Sequence, residues 1–347
     1  MTRLRVALET QFAVGTPTGL GIYASGLADA LRARDDIEVV ELRDDSFDLW
    51  RFDRRLYWDQ IRAPALAARA KADVVHFTGG TLPLRLSHPT ILTLHDLVWV
   101  RGVNRGRFYV RWYFGDFQRR LARGADAILV DTEAARVDVA DGLDIDPDRV
   151  HVVGVGVEDA FFHIVRSVDD PPFVLCVGTV ERRKDLVTAV EAIARIPDIR
   201  LISAGPLTPY ADEVRSTAAR LGVSGRVELR GYVDDLTLRD LYARAAALVF
   251  PSRYEGFGLP PLQALACGLP VVAARIPVTE EVLGDCAAYV EPGDSRGLAV
   301  SLSMVTSSAD AGLTEAGRRR AQMFTWSSVA DRAVGRYRAT FASLSRG

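Results

Sequence analysis

Residues 249–273 read V-F-P-S-R-Y-E-G-F-G-L-P-P-L-Q-A-L-A-C-G-L-P-V-V-A. The apolar run Ala246–Phe250, which leads into this stretch, is typical of a strand buried on both faces. Pro260 and Pro261 then favour the first turn of a helix, where backbone N–H groups have no partner in any case. Gly268 can end that helix in a left-handed cap before the next apolar run. The stretch therefore predicts a strand–helix–strand unit of a parallel α/β sheet.

A carboxylate and two glycines lie between the predicted strand and the predicted helix: Glu255, Gly256 and Gly258. Glycine lets the backbone approach a ligand closely, and the free N–H groups of a helix start attract an anion. Because a carboxylate would repel phosphate, we expect Glu255 to face a neutral polyol such as a sugar. A tight strand–helix turn with a capping acid is the alternative that this local pattern leaves open.

The segment E-G-F-G-L-P-P-L, followed by A-x-x-C-G-x-P-V-V, resembles the donor-site motif of the retaining family 4 glycosyltransferases. The resemblance implies the GT-B fold, in which two Rossmann-like, doubly wound α/β domains face each other across a cleft. It also implies a hexosyltransferase that uses a nucleoside-diphosphate sugar. Glu255 would be catalytic, and the donor-binding residues here would be Gly256, Phe257, Gly258, Leu259 and Gln263. The family has a second Glu where this chain has Gln263, so the resemblance predicts that Gln263→Glu tightens donor binding.

Composition and length limit the class of protein. The chain has 347 residues, 48% of them hydrophobic and 25% charged, which is typical of two soluble domains of ordinary size. The net charge of −2 argues against nucleic acid as the main partner. We find no signal peptide and no apolar run near the roughly 20 residues that span a bilayer. The three cysteines lie far apart, which suits a reducing cytoplasm and offers no metal-ligand spacing.

A charged and proline-rich segment, Asp169-Asp170-Pro171-Pro172, has the composition of a linker, and strands and helices alternate on both sides of it. The predicted domains are residues 1–168, on the acceptor side, and residues 169–325, which bind the nucleotide sugar. In the family the last helix returns to the first domain, and this implies a third segment at residues 326–347.

A glycine and three consecutive cations, Arg182 to Lys184, follow the predicted strand Phe173–Val177 and precede a predicted helix. Helix N–H groups and cationic side chains together can grip a diphosphate, although an ordinary solvated loop is also compatible with this pattern. The resemblance implies that Arg183 and Lys184 hold the donor diphosphate and act in catalysis. By the same resemblance, further donor contacts come from this loop and from the segment that follows the strand Arg226–Leu229: Gly178, Thr179, Tyr232 and Val233.

Gly19 and Gly21, with Ala24, match the dinucleotide-binding pattern, and Glu41 lies where a ribose-binding acid would. The glycines come about ten residues after the first predicted strand instead of directly after it, which argues against a nicotinamide or flavin site. The resemblance implies instead that Gly19 and Gly21 contact the donor diphosphate from a loop, before a helix that begins near Ile22.

His95 ends the predicted strand Thr90–His95, at the edge where open α/β sheets bind ligands. A lone histidine is more often structural, but the family carries a functional histidine here that reaches the donor sugar. Asp96 can orient the imidazole, or it can be a turn or capping acid, and both interpretations stay open.

Residues Arg101–Arg123 contain seven arginines, one acid and six aromatic residues. The aromatics at 109, 112, 113 and 117 recur at helical spacing, which predicts an amphipathic helix with a core stripe. The alternative is a surface that contacts anionic lipid or a pyrophosphate-linked acceptor. That surface would place a cytoplasmic protein at the inner face of the membrane.

The function that the resemblance implies is retaining transfer of a hexose, from GDP-mannose as the first expectation. The acceptor would be a hydroxyl of a glycan, a lipid-linked sugar or a small molecule. The leaving phosphate would take the acceptor proton, so no cofactor and no metal ion is expected. A sugar-nucleotide epimerase, or a catalytically weak nucleotide-sugar-binding protein of the same fold, stays open as the alternative. Nucleotide release that depends on an acceptor would distinguish the transferase.

Overall fold

The computed structural model describes residues 3–15, 18–85, 88–101, 107–307 and 311–344, and the chain divides into two compact units. Unit 1 comprises Met1–Gly156 and Phe324–Gly347, and unit 2 comprises Val157–Met323. The unit boundary therefore precedes the predicted linker. The reason is visible at Arg166, whose guanidinium donates to the carbonyls of Tyr242 and Ala245 and so ties the segment before the linker to unit 2.

Unit 1 is built on a sheet of six parallel strands in the order β2-β1-β3-β4-β5-β6. The strands are β1 Leu4–Glu9, β2 Ile37–Leu42, β3 Val74–Phe77, β4 Thr90–Thr93, β5 Ala127–Val130 and β6 Val150–Val152. The helices before the unit boundary are α1 Gly19–Arg32, α2 Phe52–Tyr57, α3 Ala63–Ala70, α4 Phe108–Trp112, α5 Gln118–Ala122 and α6 Glu133–Leu143. Every predicted strand of this unit is present, but β4 ends before His95, which lies in the following loop.

Unit 2 repeats this architecture with the strand order β12-β11-β10-β7-β8-β9, again all parallel. The strands are β7 Phe173–Val177, β8 Arg200–Ala204, β9 Val227–Gly231, β10 Ala247–Phe250, β11 Val271–Ala274 and β12 Ala288–Val290. The helices are α7 Asp159–Phe162, α8 Leu186–Ile193, α9 Tyr210–Arg220, α10 Asp235–Arg244, α11 Leu259–Ala266, α12 Pro277–Leu283, α13 Ser295–Ser307 and α14 Ala311–Ala321. The stretch at 249–273 forms β10, α11 and β11, and all residues of both strands are buried, as their continuous apolar pattern predicts.

The last helix, α15 Trp326–Leu344, belongs to unit 1. Its buried Tyr337 hydroxyl lies 2.8 Å from His76 Nδ1 on β3. Arg332 donates from Nε to the Val153 carbonyl, 2.8 Å away. These contacts attach the C-terminal helix to the sheet of the first unit.

In each unit the strand order reverses at one point, between β1 and β3 in unit 1 and between β7 and β10 in unit 2. In open parallel sheets, ligands bind outside the carboxyl ends of the strands at this switch point. The loops that follow these four strands are therefore the parts of the fold where a site is expected.

The aromatic segment forms a helix made of α4, a π-helical turn over Tyr113–Phe117 and α5, while residues 102–106 lie outside the described residues. The predicted core stripe is confirmed at Tyr113, which is buried, but it is wrong at Trp112, which is 55% exposed. Phe108 is 84% exposed. The π-helical turn changes the residues per turn, so the aromatics do not share one buried face.

Within the described ranges, no helix has the length and apolar character needed to cross a membrane.

Candidate active site

The loops after β7 and β10 meet at the switch point of unit 2 and bring three predicted site residues together. Arg183 Nη1 donates to Glu255 Oε2 at 2.8 Å, and Lys184 Nζ lies 2.5 Å from Glu255 Oε1. The backbone N–H of Arg253 donates to the Arg183 carbonyl at 2.8 Å. This backbone bond joins the two loops and fixes the distance between the cations and the carboxylate.

The charges of this cluster are nearly balanced. Burial alone would raise the pKa of Glu255, whose side chain is 7% exposed, but Lys184 and Arg183 lower it below its ordinary value. Arg183 also pairs through Nε with Glu181 at 2.7 Å, and Lys184 Nζ lies 5.0 Å from the centre of the Phe250 ring. We expected Glu255 to face a neutral polyol, whereas here it faces the two cations directly. The cluster therefore contains two cations, Arg183 and Lys184, and two carboxylates, Glu181 and Glu255, whose formal charges cancel.

Two glycines shape the backbone around the cluster. Gly178 has φ +130°, a backbone conformation that residues with a side chain rarely adopt, so the turn after β7 favours glycine. Gly258, with φ +93°, stands directly before α11, and the helix carries proline in its first turn as predicted. The remaining predicted donor residues of these two loops are the half-buried Thr179 and Leu259 and the buried Gly256 and Phe257.

Gln263 lies in α11 and is buried, with both ends of its amide engaged. Its Oε1 accepts from the Tyr242 hydroxyl at 3.1 Å, and its Nε2 donates to Glu158 Oε2 at 3.2 Å. Burial raises the pKa of Glu158. No sequence pattern singles out Glu158, because it lies 105 residues from Gln263 in the chain.

Tyr232 and Val233 follow β9, which lies two strands from β7 at the same edge of the sheet. Tyr232 is 49% exposed and Val233 is half-buried. The structure therefore places them at the same edge of the sheet as the cluster, and their contact with the donor stays a prediction.

In unit 1, His95 follows β4, and both of its ring nitrogens face oxygen atoms. Nδ1 lies 2.7 Å from Asp131 Oδ2, after β5, and Nε2 lies 3.2 Å from the Thr78 carbonyl, after β3. Asp96 accepts from the N–H of Val98 at 3.2 Å. Of the two interpretations of Asp96, the turn acid is the one observed, and the carboxylate that orients the imidazole is Asp131. A polar residue directly after a buried strand is the signal by which the sequence could have indicated Asp131.

The predicted glycine loop is partly helical. Helix α1 begins at Gly19 and not near Ile22, because the Ile22 N–H donates to the Thr18 carbonyl at 2.9 Å. Gly19 and Gly21 therefore lie in the first turn of α1. A Cβ on Gly21 would lie 2.6 Å from the Phe12 carbonyl oxygen, whereas a Cβ on Gly19 would meet no atom of the described residues within 4 Å. Gly21 thus has a packing reason to be glycine, and Gly19 has none.

Glu9, at the end of β1, was not predicted from the sequence. It is buried and accepts from Trp58 Nε1 at 2.6 Å and from the N–H groups of Thr78 and Gly79 at 2.9 Å and 3.0 Å. Burial, partly opposed by Arg55, raises the pKa of Glu9 to about 7. The switch point of unit 1 therefore holds a carboxyl group with a raised pKa, whereas the pKa of Glu255 in unit 2 is lowered by its two cations.

The described residues contain no group of three or more His, Cys, Asp or Glu side chains that could hold a metal ion.

Comparison with known proteins identifies the family. Residues 157–311 match the family model "Glycosyl transferases group 1", and residues 17–161 match the model "Glycosyltransferase Family 4". The chain is 31% identical over 315 residues to the MMP alpha-(1->4)-mannosyltransferase of Mycolicibacterium hassiacum, covering 82% of this chain and 75% of that relative. The chain belongs to the family 4 glycosyltransferases. This glycosyltransferase is also 28% identical to the O-antigen chain mannosyltransferase RfbU of Salmonella typhimurium, over 69% of this chain and 66% of that protein.

Solved structures confirm the fold of this family 4 glycosyltransferase. Sucrose-phosphate synthase from Thermosynechococcus elongatus matches with a TM-score of 0.77 at 21% identity, over 98% of this chain and all of that structure. WaaG, a glycosyltransferase involved in lipopolysaccharide biosynthesis, matches with a TM-score of 0.70 at 16% identity, over 95% of this chain and 98% of that structure. The chain therefore has the two-domain GT-B fold, and it is a glycosyltransferase whose relatives include enzymes of polysaccharide synthesis.

Proposed function

We propose that this glycosyltransferase moves a mannosyl group from GDP-mannose to a hydroxyl of a glycan, a lipid-linked sugar or a small molecule, with retention of configuration. The observation that carries the proposal is the cluster of Arg183, Lys184 and Glu255 at the switch point of unit 2, where a diphosphate can bind. The relatives named as mannosyltransferases support the choice of sugar.

Each residue of the cluster has a part in the proposed mechanism. Arg183 and Lys184 stabilise the charge that develops on the leaving diphosphate. At the start of α11, Leu259 adds a backbone N–H, whereas Pro260 and Pro261 have none. Glu255 orients the two cations and, once they engage phosphate, accepts hydrogen bonds from the sugar. The leaving phosphate takes the acceptor proton. We propose that no cofactor or metal ion takes part, because the two side chains supply the positive charge.

Gly19, Gly21 and His95 of unit 1 remain predicted contacts of the donor. The first-turn N–H groups of α1 have no partner within the helix, and they suit a phosphate oxygen.

We propose further that unit 1 contacts an anionic membrane through an aromatic surface, which comprises Trp50, Ile61, Phe108 and Trp112, with Arg107 and Arg111 beside them. These aliphatic and aromatic side chains are more than half exposed, and both arginines are exposed. Phe52 of α2 contacts Tyr109 of α4 with 5.1 Å between ring centres, so the helices that carry the surface are neighbours. Exposed aromatics between arginines suit the interface of a membrane with anionic head groups.

The donor is tested by thermal melting of the protein with GDP, UDP, dTDP, ADP and NAD, followed by transfer assays with the matching sugar nucleotide. A ligand at about 100 times its dissociation constant adds about 2.7 kcal/mol of stability. We expect stabilisation by GDP, and GDP release from GDP-mannose that requires an acceptor and survives EDTA. Release without any acceptor dependence, or stabilisation by NAD alone, would contradict the proposal, and conversion of the sugar without nucleotide release would indicate an epimerase.

The membrane proposal is tested by co-sedimentation with vesicles of phosphatidylglycerol and, separately, of phosphatidylcholine. We expect binding to the anionic vesicles only, and its loss in the double variant Phe108→Ser with Trp112→Ser. The matched control replaces two exposed apolar residues of unit 2, Leu236→Ser with Met304→Ser, which are 75% and 65% exposed. Equal binding by both double variants would exclude the aromatic surface as the contact.

A further inference from the structure

Four neighbouring strand ends of unit 1 carry a row of hydrogen-bonded groups: Glu9 after β1, Thr78 after β3, His95 after β4 and Asp131 after β5. Thr78 donates its N–H to Glu9 Oε2 and its hydroxyl to the Glu9 carbonyl, at 2.9 Å and 2.8 Å. These two bonds fix the position of Thr78, whose carbonyl oxygen faces His95 Nε2. Contacts at both ring nitrogens, with Asp131 and with the Thr78 carbonyl, therefore fix the orientation of the His95 imidazole.

The partners of His95 decide where its protons are. A backbone carbonyl can only accept, so Nε2, 3.2 Å from the Thr78 carbonyl, must carry a hydrogen. Nδ1 shares a proton with Asp131 Oδ2 at 2.7 Å. No lone pair of the ring is left for a substrate hydroxyl. The Tyr23 ring packs edge-on against the imidazole, 4.5 Å between centres, and holds its plane.

Among the described residues, the side chain of Asp131 has one hydrogen-bond partner, which is His95. The side chain of Asp131 is 2% exposed, and among the described residues its Oδ1 has no hydrogen-bond partner. The N-terminus of α6 is capped by the next residue, Thr132, whose hydroxyl accepts from the Ala135 N–H at 3.0 Å. Burying a carboxylate with one partner is unfavourable for stability, so its retention indicates a functional role.

We propose that Asp131 is a positioning residue that keeps a proton on both ring nitrogens of His95, so that His95 serves transfer as a charged hydrogen-bond donor and not as a base. The inference deepens the proposed function, because it assigns the part that His95 plays in that reaction. When a substrate binds, Nε2–H can exchange the Thr78 carbonyl for an oxygen of the substrate, while Asp131 keeps the positive charge on the ring.

The surrounding charges agree with this arrangement. The titratable groups that face the ring are Asp131, Asp96 on its own loop, His76 on β3 and Tyr23 on α1. Burial alone would lower the pKa of His95, but Asp131 and then Asp96 raise it above its ordinary value. His76 adds no opposing charge near neutral pH, because burial lowers its pKa to about 3.

The test is an NMR titration of the imidazole nitrogens, with His95 identified among the five histidines by its absence from the His95→Gln spectrum. In Asp131→Asn the amide can donate to Nδ1, so it stabilises the neutral ring with its proton on Nε2. We expect the pH at which His95 loses its charge to fall by about one to three units in this variant. In Asp96→Asn, the matched control, we expect a smaller change, because Asp96 bonds Val98 and not the ring.

Transfer is measured across the same pH range with the sugar nucleotide that the melting experiment identifies. In the wild type, kcat should fall as pH rises through the titration of His95, and in Asp131→Asn this decline should begin at lower pH with little change in KM. Titration at the same pH in both proteins, or a decline of kcat at the acid side of the titration, would overturn the proposal. Wild-type turnover in His95→Gln would also overturn it, whatever the donor proves to be.

If Asp131→Asn does not fold, the nitrogen spectrum of the wild type still tests whether both ring nitrogens of His95 are protonated. A nitrogen shift at Nε2 that is typical of an unprotonated ring nitrogen would overturn the proposal. Because this spectrum needs no substrate, failure of the GDP-mannose proposal and failure of this one are distinguishable.

Discussion

Glu255 pairs with two cations at once, and these are the cations that we propose to bind the donor diphosphate. Each oxygen of the carboxylate faces one cation, at 2.8 Å from Arg183 Nη1 and 2.5 Å from Lys184 Nζ. A diphosphate that binds to these cations must share them with the carboxylate. The negative charge of Glu255 therefore orients the cations and, at the same time, weakens their hold on an anion.

The variant Glu255→Gln separates these effects. The amide oxygen can accept from only one of the two cations, and the other is left to bind phosphate. We expect the affinity for the free nucleoside diphosphate to rise by roughly threefold to tenfold and turnover to fall by about 100-fold. Calorimetric titration and the transfer assay measure the two quantities.

The matched control for this variant is Glu213→Gln, since Glu213 pairs with Arg182 at the exposed edge of the same loop. This change should leave both affinity and turnover unaltered. Weaker nucleotide binding in Glu255→Gln would contradict the competition between carboxylate and phosphate. Truncation to Ala is a poorer test, because removing one partner of a buried ion pair can cost about 3–5 kcal/mol of stability.

Gln263→Glu tests the departure from the family motif. The resemblance alone predicts tighter donor binding, but in the structure the new carboxylate would meet Glu158, which now accepts from the amide at 3.2 Å. Two buried carboxyl groups in contact raise each other's pKa, so the folded state holds more protons than the unfolded state. We expect Gln263→Glu to lose stability as pH rises above about 4.5, and not to tighten donor binding.

The control for Gln263→Glu is the double variant Gln263→Glu with Glu158→Gln. It again places one carboxyl group and one amide in contact, with their positions exchanged. Its stability should match the wild type at neutral pH, and any gain in donor affinity should appear only here. Melting curves between about pH 4 and pH 8 and a nucleotide titration measure both effects. Equal melting temperatures of the single and double variants near neutral pH would refute the contact between residues 158 and 263.

At the scale of elements, the first turn of α1 offers a matched pair of glycines. A Cβ on Gly21 would lie 2.6 Å from the Phe12 carbonyl oxygen, whereas one on Gly19 would lie in open space. We expect Gly21→Ala to destabilise unit 1 by about 1–3 kcal/mol, as overpacking does. Gly19→Ala should be neutral or stabilising by up to about 1 kcal/mol.

Denaturant unfolding followed by tryptophan fluorescence measures these free energies, and the transfer assay adds a second reading. Loss of turnover in Gly19→Ala at unchanged stability would support its predicted contact with the donor diphosphate. Unchanged turnover would leave α1 as a packing element only. A stable Gly21→Ala would contradict the close approach of α1 to the Phe12 backbone.

The sequence indicated elements well, because strands and helices follow local periodicity. The run at 246–250 and the prolines at 260 and 261 predicted β10 and α11. The boundary between the two units lies before the proline-rich segment, because Arg166 already bonds to unit 2. What the sequence did not indicate are contacts between distant residues. Asp131 meets His95 only because β4 and β5 are neighbours. The π-helical turn over Tyr113–Phe117, which no periodicity predicts, interrupts the regular helical spacing of the aromatic residues.

At the scale of the whole molecule, two units of the same architecture differ in the charge at their switch points. Unit 2 places Arg183 and Lys184 there, which suits an anionic donor. Unit 1 places two buried carboxyl groups there, Glu9 and Asp131, and Asp131 pairs with His95. The cations of unit 2 are the basis of the proposed donor site, and an acceptor side in unit 1 stays a prediction.

This difference makes the stability of unit 1 sensitive to pH. Glu9 has a pKa of about 7 in the folded state and about 4.5 when exposed, so between these values the folded state binds more protons than the unfolded state. The contribution of Glu9 to stability must therefore fall as pH rises from about 4.5 to about 7, by up to about 3 kcal/mol. His76 acts in the opposite direction, because its pKa of about 3 means that stability is lost as pH falls below its unfolded value.

Comparison of the wild type with Glu9→Gln isolates the contribution of Glu9. All five tryptophans, at positions 50, 58, 99, 112 and 326, belong to unit 1, so fluorescence-detected unfolding reports on this unit. The substitution removes the pH-dependent contribution of Glu9, and it also costs a hydrogen bond at every pH, because the new amide cannot accept from Trp58 while its oxygen serves Thr78 and Gly79. The difference in unfolding free energy between the two proteins should shrink as pH rises from about 4.5 to about 7.

The control is Glu38→Gln, at an exposed position of β2, which should keep the wild-type pH dependence. A constant difference between wild type and Glu9→Gln over this pH range would contradict the prediction. It would show that Glu9 is ionised in the folded protein, where its three N–H donors stabilise the negative charge.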